Sequence, residues 1–116
     1  MNMGSIYGSI APRFNIYDDT PMTTPVEYCA IKAGIAHLSR YFAQHYKKSA
    51  VRVNTLSPGG IRNDQPELFQ KRYAALSGTK GMLDGGDLTG ALLFLLSDTS
   101  KHVTGQDIIV DDGFSL

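Results

Sequence analysis

An α/β fold built on a parallel sheet is predicted by three observations along the 116 residues. The run Val51-Arg52-Val53-Asn54-Thr55-Leu56 is rich in β-branched side chains and stops at Ser57-Pro58-Gly59-Gly60. Ile108-Ile109-Val110 is apolar without a polar interruption, the pattern of a strand covered on both faces. Helical segments separate these runs, and strand, helix, strand, helix, strand in one chain implies a single layered domain over residues 1–116 with right-handed crossovers.

The elements follow in order. Residues 1–6 read as the tail of a strand that runs into Tyr7-Gly8. A long loop from Ser9 to Thr23 is rich in Asp, Pro and aromatic residues. Thr24-Pro25-Val26-Glu27 reads as a helix start, with Thr24 as cap, Pro25 at the first helical position and Glu27 completing a capping box. That helix extends to about Lys48. Its apolar and small positions, Ala30, Ile31, Ala33, Gly34, Ile35, Leu38 and Phe42, spread over more than one face, so a sheet on one side and another subunit on the other are expected to cover it. A short helix is expected near Pro66–Leu76, ended by Ser77-Gly78-Thr79-Lys80-Gly81, and a second apolar helix from Asp87 to Ser97. Thr104-Gly105 then turns the chain into the last strand.

Composition narrows the function. Eleven basic and eleven acidic side chains cancel, which removes the broad basic surface that nucleic acid or anionic lipid would require. The apolar stretch Leu92–Leu96 is far too short to span a bilayer, and Met1–Gly8 lacks the basic start and apolar run of a signal peptide. Cys29 is the single cysteine, so no intrachain disulfide forms and a reducing, cytoplasmic location is expected; Cys29 itself reads as a small packed residue. His37, His45 and His102 lack metal-ligand spacing. Asp111 and Asp112 follow the last strand and are expected to satisfy turn amides, while Tyr41, Phe42 and Tyr46 are expected to be partly buried in a homo-oligomer interface.

The chemistry concentrates at Tyr28-Cys29-Ala30-Ile31-Lys32. Tyr28 and Lys32 are four positions apart and project from one helical face. A phenol with its ordinary pKa near ~10 is a poor base at neutral pH, and an adjacent ammonium favours the phenolate. Ser5 upstream carries a hydroxyl able to hold the same substrate oxygen. Taken alone, a Tyr and a Lys one turn apart are commonplace on helices.

Their order with other motifs is not commonplace. Ser5-Ile6-Tyr7-Gly8, then Tyr28 to Gly34, then Arg52-Val53-Asn54-Thr55-Leu56-Ser57-Pro58-Gly59, then Asp98 to Gly105, then Asp111-Asp112-Gly113-Phe114 together resemble the C-terminal half of a short-chain dehydrogenase/reductase. The resemblance implies the C-terminal part of a Rossmann-like, doubly wound parallel sheet with about three parallel strands. It implies Tyr28 as the acid/base, Lys32 as the residue that lowers the tyrosine pKa and binds the nicotinamide ribose, and Ser5 as the group that orients a small-molecule substrate. Pro58, Gly59 and Ile61 match the turn that lies against the nicotinamide of NAD or NADP. The loop, together with Pro25-Val26-Glu27-Tyr28 and Ser57-Pro58-Gly59-Gly60-Ile61, is similar to dehydrogenases linked to flagellin glycosylation and surface-sugar synthesis.

Three departures from the family pattern stand out. The connection from Ser5 to Tyr28 is longer than usual, and its residues from Phe14 to Met22 are expected to form a lip over the substrate pocket. Asn63 stands where many members carry a threonine near the cofactor. No strand, Gly-rich turn and helix precede Ser5 to hold the dinucleotide phosphates, and Gly59-Gly60 and Gly85-Gly86 lack that spacing. The family's ribose-binding acid and its asparagine upstream of the serine are also missing. Two readings follow: a catalytic half that acts with an N-terminal half supplied, or a non-catalytic remnant that folds and self-associates. In both, the isolated chain is expected to bind no cofactor and to be inactive.

Overall fold

In the computed structural model, which describes residues 1–116, three short parallel strands form one sheet in the order β1-β2-β3. These are β1 (Asn2–Met3), β2 (Thr55–Pro58) and β3 (Asp107–Val110), with Met3 beside Leu56 and Leu56 beside Ile108. Helix α1 (Val26–His45) crosses from β1 to β2, and α2 (Glu67–Ala74) and α3 (Thr89–Leu96) lie in the crossover from β2 to β3. This is the architecture expected from the alternation of elements.

Two local expectations are corrected. Thr24 does not cap α1: the N-cap is Pro25, no side chain caps the helix, and the Thr24 hydroxyl instead donates to the Tyr17 hydroxyl at 2.7 Å. The capping box with Glu27 is therefore not formed; a tertiary partner displaces the local one. The second strand also sits later than its composition suggests. Val51 to Asn54 lie outside the ladder, which begins at Thr55 and runs through Ser57-Pro58. The earlier residues are held by backbone and side chain together: the Val53 carbonyl accepts from Gly105 N–H at 2.7 Å and the Asn54 carbonyl from Asn2 N–H at 2.8 Å, while the Asn54 side chain donates to the Val103 carbonyl at 2.8 Å and accepts from the Gln106 N–H at 3.0 Å.

A small polar joint seats α1 on the sheet. Buried Ser39 accepts from Asn2 Nδ2 at 2.9 Å and from Thr55 Oγ1 at 2.8 Å, and donates to the Ile35 carbonyl at 3.1 Å. All three bonds satisfy groups that burial would otherwise leave unpaired. The apolar core, Ile6, Ile16, Phe69, Tyr73, Met82 and Phe114, lies beyond the C-terminal ends of the strands. Tyr73 and Phe114 stack with centroids 4.0 Å apart. Ile16 belongs to the long loop and is 1% exposed, so that loop is built into the core.

Only one side of α1 is covered within the chain. Ala36, Ser39 and Ala43 are buried, whereas Ile31, Leu38 and Tyr41 remain more than half exposed, and Phe42 and Tyr46 are exposed as well. Leu93 and Leu96 on α3 are also open to solvent. No helix is long and apolar enough to cross a membrane, and no group of His, Cys, Asp or Glu is placed to hold a metal ion.

The C-terminal turn is held as its two aspartates suggest. Asp111 accepts from the N–H groups of Gly113 at 3.0 Å and Ser115 at 2.8 Å. Asp112, in the left-handed region at φ 54°, accepts from Thr79 N–H at 2.9 Å, Lys80 N–H at 2.6 Å and Gly81 N–H at 2.8 Å. These backbone donors, Gly81 first, hold its carboxyl below the usual carboxylate range. A folded pKa below the unfolded value of about 3.9 contributes stability that is present above that value and lost as pH falls through the folded one. Asp112→Asn is therefore expected to be less stable than the parent near about pH 7, with the difference shrinking toward about pH 3; urea unfolding followed by circular dichroism at several pH values measures it.

Candidate active site

The end of β1 leads directly into the first wall of a cavity. Ser5, nearly buried and in extended conformation, starts a 3-10 turn over Ile6–Gly8, and its Oγ accepts from the Tyr7 N–H at 3.2 Å. The Ser5 hydroxyl hydrogen has no partner within the chain. Gly8 ends that turn against the backbone of α1: a Cβ there would lie 2.7 Å from the Lys32 carbonyl carbon and 2.9 Å from the Ala33 nitrogen. Only glycine permits this approach.

Tyr28 lies in the first turn of α1 and is 40% exposed. One turn later, the Lys32 ammonium is 5.5 Å from the Tyr28 ring centroid and donates to the Met3 carbonyl at 3.2 Å. The pair predicted from the helical spacing is therefore formed, and Lys32 ties the helix back to β1.

The opposite wall is the turn after β2. Gly59 N–H donates to Val110 O at 2.8 Å, Gly60 N–H donates to the Tyr73 hydroxyl at 2.7 Å, and Ile61 forms a parallel bridge with Leu83. A Cβ on Gly59 would come within 2.7 Å of both Asp111 Cβ and the Tyr73 hydroxyl. The bridge uses the Gly60 carbonyl and the Arg62 N–H, leaving the Ile61 N–H without a hydrogen bond inside the chain; the Gly59 carbonyl likewise accepts none. Asn63 is exposed and stands apart from the cavity, its N–H donating to Gln65 Oε1 at 2.7 Å.

Between these walls is a cavity of about 410 Å³. Ser5, Tyr28, Pro58, Gly59 and Ile61 all line it, while Lys32 stands behind Tyr28 rather than in the wall. Tyr17 and Met22, from the loop expected to form a lip over the pocket, line it too, whereas sequence reasoning missed Tyr7, Thr24, Gln65 and Tyr73 as lining residues. The aromatic character of the long loop was the one available signal for Tyr17; Tyr73 had none. Burial, reinforced by the hydrogen bond to Tyr17, pushes the Tyr7 phenol well up. Burial also pushes the Tyr73 phenol up to about 12, against the opposing effect of the Gly60 N–H. Tyr28 is the phenol in the wall with an ammonium beside its ring.

The geometry has clear relatives. A family model described as enoyl-(acyl carrier protein) reductase matches residues 17–115. The crystal structure of a short-chain dehydrogenase from Leptospira borgpetersenii serovar Hardjo-bovis with bound NAD+ superposes with a TM-score of 0.92 at 37% identity, covering 99% of this chain and 43% of that one. The chain belongs to the short-chain dehydrogenase/reductase family.

Among curated relatives of this family, post-translational flagellin modification protein A of Campylobacter coli is 47% identical over 116 residues, covering 100% of this chain and 45% of the relative. A 2,5-dichloro-2,5-cyclohexadiene-1,4-diol dehydrogenase of Sphingobium indicum is 32% identical over 114 residues, covering 94% and 45%. The chain thus spans less than half the length of these relatives. Its three parallel strands and crossover helices are the Rossmann-like arrangement that the motif order implied.

The Tyr73 hydroxyl is the support of the glycine turn. Tyr73→Phe would leave the Gly60 N–H without its partner, and a loss of about 1–3 kcal/mol is expected; chemical denaturation of variant and parent under identical conditions measures it.

Proposed function

We propose that this chain supplies the acid–base half of an NAD(P)-dependent oxidoreductase that interconverts an alcohol and a carbonyl. The observation that carries this reading is the meeting of the Ser5 hydroxyl and the Tyr28 phenol in one cavity, with the Lys32 ammonium behind the phenol. The unpaired Ile61 N–H and Gly59 carbonyl, a donor and an acceptor two residues apart beside that cavity, fit the complementary groups of a nicotinamide carboxamide. A bound nicotinamide dinucleotide supplies the acceptor of hydride in oxidation and its donor in reduction.

In the oxidation direction, Tyr28 as phenolate takes the proton from the substrate O–H as the carbinol C–H bond breaks and the C=O bond forms. Ser5 donates its free hydrogen to the same oxygen and holds it in line. Lys32 holds its ammonium beside the Tyr28 ring and offers it to the cofactor ribose. In reduction, Tyr28 returns the proton to the alkoxide oxygen as it forms.

The dinucleotide phosphates need a strand, a Gly-rich turn and a helix that these 116 residues do not contain. Turnover by this reading therefore requires an N-terminal half, and the 116-residue chain alone is inactive. The open apolar faces of α1 and α3 support self-association as well, which a non-catalytic remnant would share. The single cysteine supports a cytoplasmic setting.

The test is turnover of a panel of small alcohols, read at the NAD(P)H absorbance, by the chain joined to such a half. Tyr28→Phe is expected to lower kcat by about 10²–10⁴-fold, and Ser5→Ala and Lys32→Ala to lower it less. Near-parental turnover by Tyr28→Phe would sink the assignment. NADH fluorescence titration of the 116-residue chain alone is expected to show no tight binding, and tight binding would overturn its dependence on a second half.

A further inference from the structure

Three hydroxyls that the proposed proton transfer does not use are joined in the cavity wall. Thr24 Oγ1 donates to Tyr17 Oη at 2.7 Å, and Tyr17 Oη and Tyr7 Oη are 2.9 Å apart. The three groups carry three hydrogens and make two hydrogen bonds. The Thr24 hydrogen is committed to Tyr17, and one phenolic hydrogen joins the two tyrosines. Whichever tyrosine donates, the phenolic hydrogen of the other stays free, on a residue that lines the cavity. Burial keeps Tyr7 protonated, so the pair remains a donor throughout the neutral range.

This hydroxyl chain is held by packing and by a clamp on the loop that carries Tyr17. The Tyr17 ring packs on Phe69 with centroids 5.1 Å apart. Arg72 on α2 donates to the Asp18 carbonyl and pairs with Asp19 at 3.5 Å, clamping the loop at the two residues that follow Tyr17. A donor fixed in this way needs little further ordering to bind.

The rest of the wall sets the chemistry of the ligand. No Asp, Glu, Lys, Arg or His side chain lines the cavity. Its polar side chains are hydroxyls together with Gln65, whose amide bonds the Asn63 N–H and the Ile61 carbonyl, and its free backbone groups, the Ile61 N–H and the Gly59 carbonyl, are neutral as well. The Tyr73 hydroxyl accepts from Gly60 and has its own hydrogen to give. A charged ligand entering such walls would lose its water without meeting a counter-ion. A neutral ligand carrying several hydroxyls meets a donor at more than one point.

We propose that the Tyr7–Tyr17–Thr24 hydroxyl chain is a second anchor, remote from the reacting carbon, that selects neutral polyhydroxylated substrates. The word substrate rests on the oxidoreductase reading above; the anchor itself is a binding property.

The test is calorimetric binding, by the chain joined to an N-terminal half and with NAD+ present, of two neutral probes, a hexitol and a methyl hexopyranoside, against gluconate, which has the hexitol skeleton with a carboxylate. At least one neutral probe is expected to bind about tenfold or more tighter than gluconate. Tyr7→Phe/Tyr17→Phe keeps both rings and replaces both partners of the part-buried Tyr7–Tyr17 bond by apolar groups of like shape, leaving the Thr24 hydroxyl to bond water at the cavity. It is expected to weaken the preferred neutral probe about tenfold, the size of one hydrogen bond, with Tyr17→Phe alone giving a smaller loss. A preference for gluconate, no saturable binding of either neutral probe, or parental binding by whichever variant folds would overturn the anchor. Tyr28→Phe kinetics report separately on the oxidoreductase reading: sustained turnover there removes the reaction and leaves the binding result standing.

Discussion

The site depends first on the contact between Gly8 and the backbone of α1. A side chain at that position would begin 2.7 Å from the Lys32 carbonyl carbon and 2.8 Å from its oxygen, so neither partner has a flexible group with which to yield. The contact places the turn that begins at Ser5 directly on the helix that carries Tyr28 and Lys32. Lys32 closes the circuit by donating to Met3 O at 3.2 Å, at the end of β1 and two residues before that turn. Strand, turn and helix thus form one rigid unit, and the spacing between hydroxyl, phenol and ammonium is fixed by main-chain packing. That is the kind of support that acid–base groups need if their geometry is to survive thermal motion.

The opposite wall is fixed by a different device. The turn after β2 is tied to β3 by Gly59, to α2 by the hydrogen bond from Gly60 to Tyr73, and to the segment before α3 by the bridge from Ile61 to Leu83. Tyr73 in turn stacks on Phe114, which follows the two aspartates that hold the C-terminal turn. The cavity is therefore framed by segments from the beginning, the middle and the end of the chain. Its long loop is part of that frame, because Ile16 is buried in the core and Tyr17 reaches the wall.

This dependence on distant contacts explains what could be read in the sequence. The alternation of elements, the Tyr28–Lys32 spacing and the turn role of Asp111 and Asp112 follow from local patterns, and the structure has them. Thr24 was legible as a cap because Thr-Pro-x-Glu is a local signal, yet its hydroxyl is taken by Tyr17, seven residues back in the chain and adjacent only in the fold. The β-branched run from Val51 marks a strand, but the paired residues begin at Thr55, and the residues just before it are joined to their neighbours by single bonds, from Gly105 N–H to Val53, from Asn2 N–H to Asn54 and through the Asn54 side chain to Val103 and Gln106. Tyr7, Tyr17 and Tyr73 carry no spacing signal at all. Their place at the cavity comes from the approach of Gly8 to α1 and the packing of α2 under the loop.

Helix α1 has two sides with different demands. Its inner side, through Ala36, Ser39 and Ala43, sits on the sheet and sets where Tyr28 and Lys32 begin. Its outer side leaves Ile31, Leu38 and Tyr41 open, and β1 is paired along one edge only within these residues. Apolar faces and free strand edges of this kind favour contact with another surface. Ile31 adjoins Lys32 in sequence, so a surface that covered the outer side of α1 would bear on the same helical turns that carry Tyr28 and Lys32. The inner seat of the helix, where Ser39 bonds to Asn2 and Thr55, is what sets Tyr28 in the cavity wall with the Lys32 ammonium beside its ring.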